Sequence, residues 1–264
     1  MPLKRKPGKY WSAKEETWVP VLSVALGIGA WGFFSSMHPT QLLPTPVQVI
    51  SALSGLFMSG VLFHDVLISL QRIMIGFILG CVVGIPLGLA MGLSNFVRAV
   101  FDPVVQFLRF VPPIAWLIPA IIWFGIGETS KVLIVFYMTV FLVLLNTMSG
   151  VSSIRVNYLR AAENYEVDRW QMLRMVVFPA TMSFSIAGAR IALGNSFAAV
   201  VGAELIGANA GLGYRIIESG RWMAMGDMLG SIILLGLLGL AADLMIDKLT
   251  LKYLGRFLME KKGD

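Results

Sequence analysis

Long apolar runs dominate the chain. Six can be read, at about 18–37, 66–92, 103–124, 131–150, 182–205 and 228–248. Each is near the roughly 20 residues that a helix needs to cross a bilayer. The first follows a basic head (Lys4, Arg5, Lys6, Lys9, Lys14) and has no small-residue cleavage site behind it, so it is expected to stay as a span. The pattern predicts an all-α polytopic membrane protein. Its expected parts are a basic head at 1–17, a first span at 18–37, an extracytoplasmic connection at 38–65, a core at 66–250 and a basic tail at 251–264.

Two runs have unusual interiors. The second reads GFILGCVVGIPLGLAMG, with Gly76, Gly80, Gly84, Gly88 and Gly92 spaced four apart. On a helix they form one smooth ridge that lets another backbone approach closely in lipid. Ordinary helix packing explains such a ridge, as does a surface that slides during a conformational cycle. Pro86 is expected to bend this helix. The third run, FLRFVPPIAWLIPAIIWFG, carries Pro112-Pro113. A break inside a membrane requires protein or a wet cavity to satisfy the freed backbone groups. That makes the run either a kinked span or part of a pathway lining.

Composition agrees. Of the 264 residues, 57% are hydrophobic and 14% charged, against about 25% charged in soluble domains. The net charge of +6 fits basic cytoplasmic loops better than nucleic-acid binding. With the N-terminus inside, fifteen of the 21 Lys/Arg fall on the cytoplasmic side and three (Lys131, Arg215, Arg221) outside. This asymmetry predicts that both termini are cytoplasmic. Cys81 stands alone, which excludes an intrachain disulfide or a Cys-built metal cluster. His38 and His64 are read as interfacial residues, and no metal site is expected.

A charged stretch, LRAAENYEVDRWQMLRMVVFPA (Leu159–Ala180), interrupts the apolar pattern on the predicted cytoplasmic side. Asp168 and Gln171 have the spacing of a capping box. Two short helices follow, about 157–165 and 169–178, with a turn at Glu166-Val167. In the second, Trp170, Leu173 and Val177 share a face, and Arg169, Gln171 and Arg174 project elsewhere. Pro179 is expected to stop that helix and start the next span. A structured connection of this length generally carries function, and a helical knob suits docking in another protein's groove. The chain has no G-x-x-x-x-G-K-[ST]; Gly8-Lys9 is followed by Tyr10. Any use of ATP must run through a partner.

This stretch resembles the cytoplasmic loop of importer permeases of the ATP-binding-cassette class, which reads E-A-A, three residues, G, and later a proline. Ala161, Ala162 and Pro179 match it. Further segments resemble the nitrate/sulfonate/taurine branch: LLPTPVQV (42–49), GIPLGLAMGLS (84–94), VPPIAWLIPAIIWFGIGETSK (111–131), ARIALGNSF (189–197) and GAELIGANAGLGY (202–214). The resemblance covers about 40 to 250. It implies a type I importer fold of about six spans, a coupling hairpin at 155–180, and no catalysis in this chain. It also implies a second permease copy, a cytoplasmic ATPase dimer holding ATP and magnesium, and an extracytoplasmic solute-binding protein. The coupling residues would be Arg160, Ala161, Ala162, Glu163, Glu166, Asp168, Trp170 and Pro179. Arg160 stands where the family has Glu, and Glu166 where it has Gly. Glu in a left-handed turn costs roughly 1 kcal/mol, so either the turn is built differently or the partner's groove offers Glu166 a cation; the two departures are expected to reflect a groove of altered charge.

Ionisable residues in or near spans are candidates for the solute pathway: Arg72, Arg109, Arg190 and Glu204. Snorkelling to a headgroup accounts for each arginine equally well. Cationic lining would suit an anionic solute. Asp243 and Asp247 are expected to pair locally or face water, and the glycine-rich Gly207–Arg215 loop to line an outer mouth or simply turn. An ATP-independent carrier or channel is the alternative, but no internal repeat or ladder of acids supports it. An intramembrane enzyme lacks paired carboxylates or a Ser/Lys or His/Glu motif.

Overall fold

The structure is a computed structural model that describes residues 15–37, 42–165 and 167–258. Every regular element among them is helical. Helix α1 (Glu15–Met37) is followed by α2 (Pro46–Met58), which occupies much of the expected connection. Thr45 starts α2 with a capping box: its hydroxyl accepts from Gln48 N, and Gln48 Oε1 accepts from Thr45 N. Helix α3 (Val61–Leu93) and α4 (Asn95–Leu108) meet at Ser94, whose hydroxyl caps α4. A 3₁₀ turn (Pro113–Trp116) leads to α5 (Leu117–Phe124), then α6 (Glu128–Ser152). The hairpin comprises α7 (Val156–Asn164) and α8 (Arg169–Gln171), and α9 (Phe178–Glu204), α10 (Leu212–Arg221) and α11 (Met225–Leu258) complete the chain.

Among the described residues, five helices are long and apolar enough to span a membrane, or six if α4 and the α5 segment count as one broken span. The third apolar run departs from expectation. Its helix begins at Asn95 and ends at Leu108, and between Leu108 and Pro113 the chain turns by 94°. Pro113 has no N–H to give, and Pro112 is held extended (φ −57°, ψ 135°) by the ring that follows. The helix therefore breaks outright. Pro86, by contrast, lies inside α3 without ending it.

The core is a packed row of α3, α6 and α9. All five ridge glycines of α3 face α6, opposite Val135, Thr139, Val140–Leu144, Thr147 and Val151. A Cβ added at any of them would lie 2.5–2.8 Å from an atom of α6. Glycine is required here for close approach, because lipid gives no hydrophobic drive and helices must associate through packing. On the other side of α6, hydroxyl pairs Thr139–Ser196 (3.1 Å) and Thr147–Ser185 (3.0 Å) join it to α9. Helix α1 stands apart from the row, touching the rest through Trp31, whose indole N–H donates to Pro44 O (3.1 Å).

Candidate functional site

The hairpin that joins α6 to α9 sits at one end of the bundle. Asp168 caps it as the spacing predicts: Oδ1 accepts from Gln171 N at 2.7 Å, and Gln171 Oε1 accepts from Asp168 N at 3.2 Å. Leu173 and Val177 pack inward with Met172 on Leu89 and Val151. Trp170 does not join them; it is 67% exposed. The cause is a π-helical turn over Met172–Val177, in which Phe178 N donates back to Leu173 O. The wider turn inserts an extra residue and rotates Trp170 off the inner face. The same turn corrects the expectation for Pro179, which lies in the first turn of α9 instead of stopping a helix. Helix runs from Arg169 to Glu204.

Within α7, Ala162 is buried and Arg160 is exposed. Tyr158, Tyr165 and Met175 are 61%, 84% and 68% exposed, so the hairpin presents several large side chains outward. Glu166 and the side chains of Ala161 and Glu163 lie outside the described residues.

At the opposite end, Asp65, Ser69 and Arg72 follow one another along a face of α3 that continues as the glycine ridge. Arg72 donates Nε and Nη2 to the Glu128 carboxylate (2.5 and 2.7 Å), and Nη1 to Glu204 Oε1 (2.7 Å) and Ala210 O (2.9 Å). Glu204 also accepts from Ser69 Oγ (2.8 Å) and Gly213 N (2.7 Å). Asp65 accepts from Gly211 N and Arg215 Nε, both at 2.8 Å. Lys131 adds a further link to Glu128 at 3.2 Å.

The Gly207–Arg215 loop is thus folded onto the bundle. Gly211 has φ +124°, and a Cβ there would lie 2.5 Å from the Glu204 carboxylate. Carboxylates at the N-terminus of α10 satisfy its free N–H groups and its dipole. Arg72 and Glu204, singled out from sequence, face each other and are buried. Asp65, Ser69, Glu128 and Arg215 were missed. Their signal was the helical spacing of Asp65, Ser69 and Arg72 just ahead of the ridge.

The other two candidates differ. Arg190 of α9 holds Asp243 of α11 through two bonds of 2.9 Å and also bonds Asp247, so those acids pair locally as expected. Arg109 ends α4 with its guanidinium 4.6 Å from the centre of the Phe110 ring. It borders a cavity of about 300 Å³ lined also by Pro113, Tyr137, Phe141 and Leu145.

Residues 84–253 match the family described as binding-protein-dependent transport system inner membrane components. The chain is similar to the taurine transport system permease protein TauC of Escherichia coli K12, at 32% identity over 89% of this chain and 88% of that one. It is likewise similar to the putative aliphatic sulfonates transport permease protein SsuC of the same organism, at 34% over 94% and 95%. Among solved structures, an inward-facing form of the MetNI methionine transporter superposes with a TM-score of 0.65 and 19% identity, over 73% of this chain and 95% of that one. At that identity the match speaks for the fold.

Proposed function

The chain belongs to the binding-protein-dependent inner membrane components, the permease subunits of ATP-binding-cassette importers, and from that premise we propose how it works. As a permease it is a membrane subunit without catalysis of its own, in a class where separate subunits hydrolyse ATP. Membership displaces the ATP-independent carrier. Two copies of this chain form the pathway, both termini are cytoplasmic, and ATP and magnesium bind only the partner ATPases. An extracytoplasmic binding protein delivers the solute. The solute is a small anion, in keeping with the aliphatic sulfonates named for one relative and with the sulfonate group of the taurine named for the other.

The observation that carries this reading is the hairpin. A capped helical knob with exposed Tyr158, Trp170 and Met175 links α6 and α9, two neighbouring helices of the packed row. Docking of that knob on an ATPase lets nucleotide binding shift the bundle between arrangements, because the ATPase binds them with different affinity. The test is a mild-detergent pull-down of the tagged chain from its host's membranes, beside a variant with Ala161→Asp and Ala162→Asp. An ATPase should co-purify with the native chain and be lost with the variant. Absence of any ATPase under conditions that keep two permease copies together would overturn the reading.

A further inference from the structure

Three arginines lie within apolar segments. Arg72 and Arg190 each hold two carboxylates. Arg109 has no carboxylate partner among the described residues; its guanidinium meets the Phe110 ring. It also lies deep. Helix α6 runs 25 residues from Glu128, so at about 1.5 Å per residue its midpoint falls close to residue 140. Tyr137, Phe141 and Leu142, which line the cavity with Arg109, straddle that midpoint. A lone guanidinium at the centre of a hydrocarbon core about 30 Å thick costs several kcal/mol or more, unless it faces water or a counter-charge. From the centre neither surface is within reach of an arginine side chain, which removes the snorkelling account.

The walls show what the counter-charge is attached to. Tyr137 and Phe141 stack edge to face at 5.0 Å in the wall, and Trp116, outside the cavity, backs Tyr137 at 5.8 Å. Tyr137 Oη donates to Leu108 O at 2.5 Å, which fixes the ring against the end of α4, at a carbonyl that also accepts from Val111 N (2.9 Å). Met138, Leu142 and Leu145 supply the remaining apolar surface. One water claims about 30 Å³, so an inorganic oxyanion would fill little of a cavity of about 300 Å³ and leave the aromatic wall unused. The size is at the lower limit of the ~300–1,000 Å³ usual for small-molecule sites.

We propose that this cavity is a solute site at mid-membrane for an organic anion: a sulfonate or carboxylate on Arg109, with an apolar body against Tyr137, Phe141 and Leu145. The proposal rests on the importer reading above and adds selectivity to it. The permease itself favours an anion with a hydrocarbon or aromatic body over a bare inorganic one, independently of what the binding protein chooses.

The test measures uptake of labelled benzenesulfonate, taurine and nitrate by host cells whose only copy of the chain is native, Arg109→Lys, Arg109→Gln or Phe141→Ala. Membrane abundance and ATPase co-purification are followed in parallel. Native cells should take up benzenesulfonate. Arg109→Gln should lower that uptake at least tenfold and Arg109→Lys by less, with the ATPase still bound. Phe141→Ala should lower benzenesulfonate uptake at least fivefold and taurine uptake less than twofold. Should Arg109→Gln fail to accumulate, Arg109→Lys and Phe141→Ala carry the test. Uptake within twofold of native in the glutamine variant overturns the site, as does equal loss of both sulfonates in Phe141→Ala. A complex that assembles with its ATPase but imports only nitrate overturns the ligand class. If no ATPase co-purifies and no probe enters, the importer reading itself fails.

Discussion

Replacing Gly88 with alanine should separate α3 from α6 at a known point. The new Cβ would lie 2.6 Å from Leu144 O and 2.9 Å from Thr147 Cβ. A backbone oxygen inside a packed helix cannot swing away as a side chain could. The seam must open by about 0.8 Å locally, and a gap of that size forfeits a quarter to a half of each dispersion contact. Overpacking of this kind costs about 1–3 kcal/mol. Alanine also gains about 1 kcal/mol in helix propensity over glycine, which the right comparison removes. Gly236 of α11 has nothing within 4 Å of its would-be Cβ, so Gly236→Ala takes the same propensity gain without the clash. The single cysteine offers the assay. Cys81 lies in α3, half-buried against the main core cluster, so a thiol-reactive dye reports melting of the row. At about 2–4 °C per kcal/mol for a chain of this length, Gly88→Ala should melt roughly 2–12 °C below Gly236→Ala. Melting within 1 °C of each other would refute the claim that the glycine ridge is a close-contact seam.

Glu204→Ala removes the acceptor for Ser69, Arg72 and Gly213 together; breaking a buried pair costs about 3–5 kcal/mol, so the same dye should report a fall larger than for Gly88→Ala. Gly211→Ala places a methyl on the Glu204 carboxylate at a left-handed backbone angle, and should likewise lower the melting point, whereas Gly125→Ala, with open space around it, loses only the cost of its own φ of +80°. Asp168→Ala removes an exposed N-cap worth about 1 kcal/mol locally; ATPase co-purification should weaken while the melting point of the row stays within 1 °C.

The row of spans was legible because its causes are local. Runs of apolar residues and a glycine every fourth position are written in adjacent sequence, and so is the Asp168–Gln171 cap. What was not legible depends on partners far along the chain. Arg72 reads the same whether it lines a pathway or holds Glu128 and Glu204, which lie 56 and 132 residues away. The π turn before Pro179 was hidden for a different reason. A proline can end a helix or be absorbed by a wider turn ahead of it, and packing of Leu173 and Val177 on Leu89 and Val151 decides which. The break at Pro112-Pro113 was visible, but its 94° angle was not, since it depends on how the 3₁₀ turn packs against α6.

The two ends of the row are related by its stiffness. The hairpin hangs between α6 and α9, and those helices carry Glu128 and Glu204 at their other ends, both held by Arg72 of α3. Between the ends, the glycine seam on one side of α6 and the two hydroxyl pairs on the other leave little room for independent sliding. A close-packed interior transmits displacement instead of absorbing it. Movement of the hairpin therefore reaches the far end as rotation of a single block. The α4–α5 segment, bent at 94°, is fastened to that block by the Tyr137–Leu108 bond and by Val105 on Leu144 and Leu117 on Ile134 and Ala203. Arg109 sits at that bend with no carboxylate partner among the described residues, so its charge lies where the two arms of the segment part.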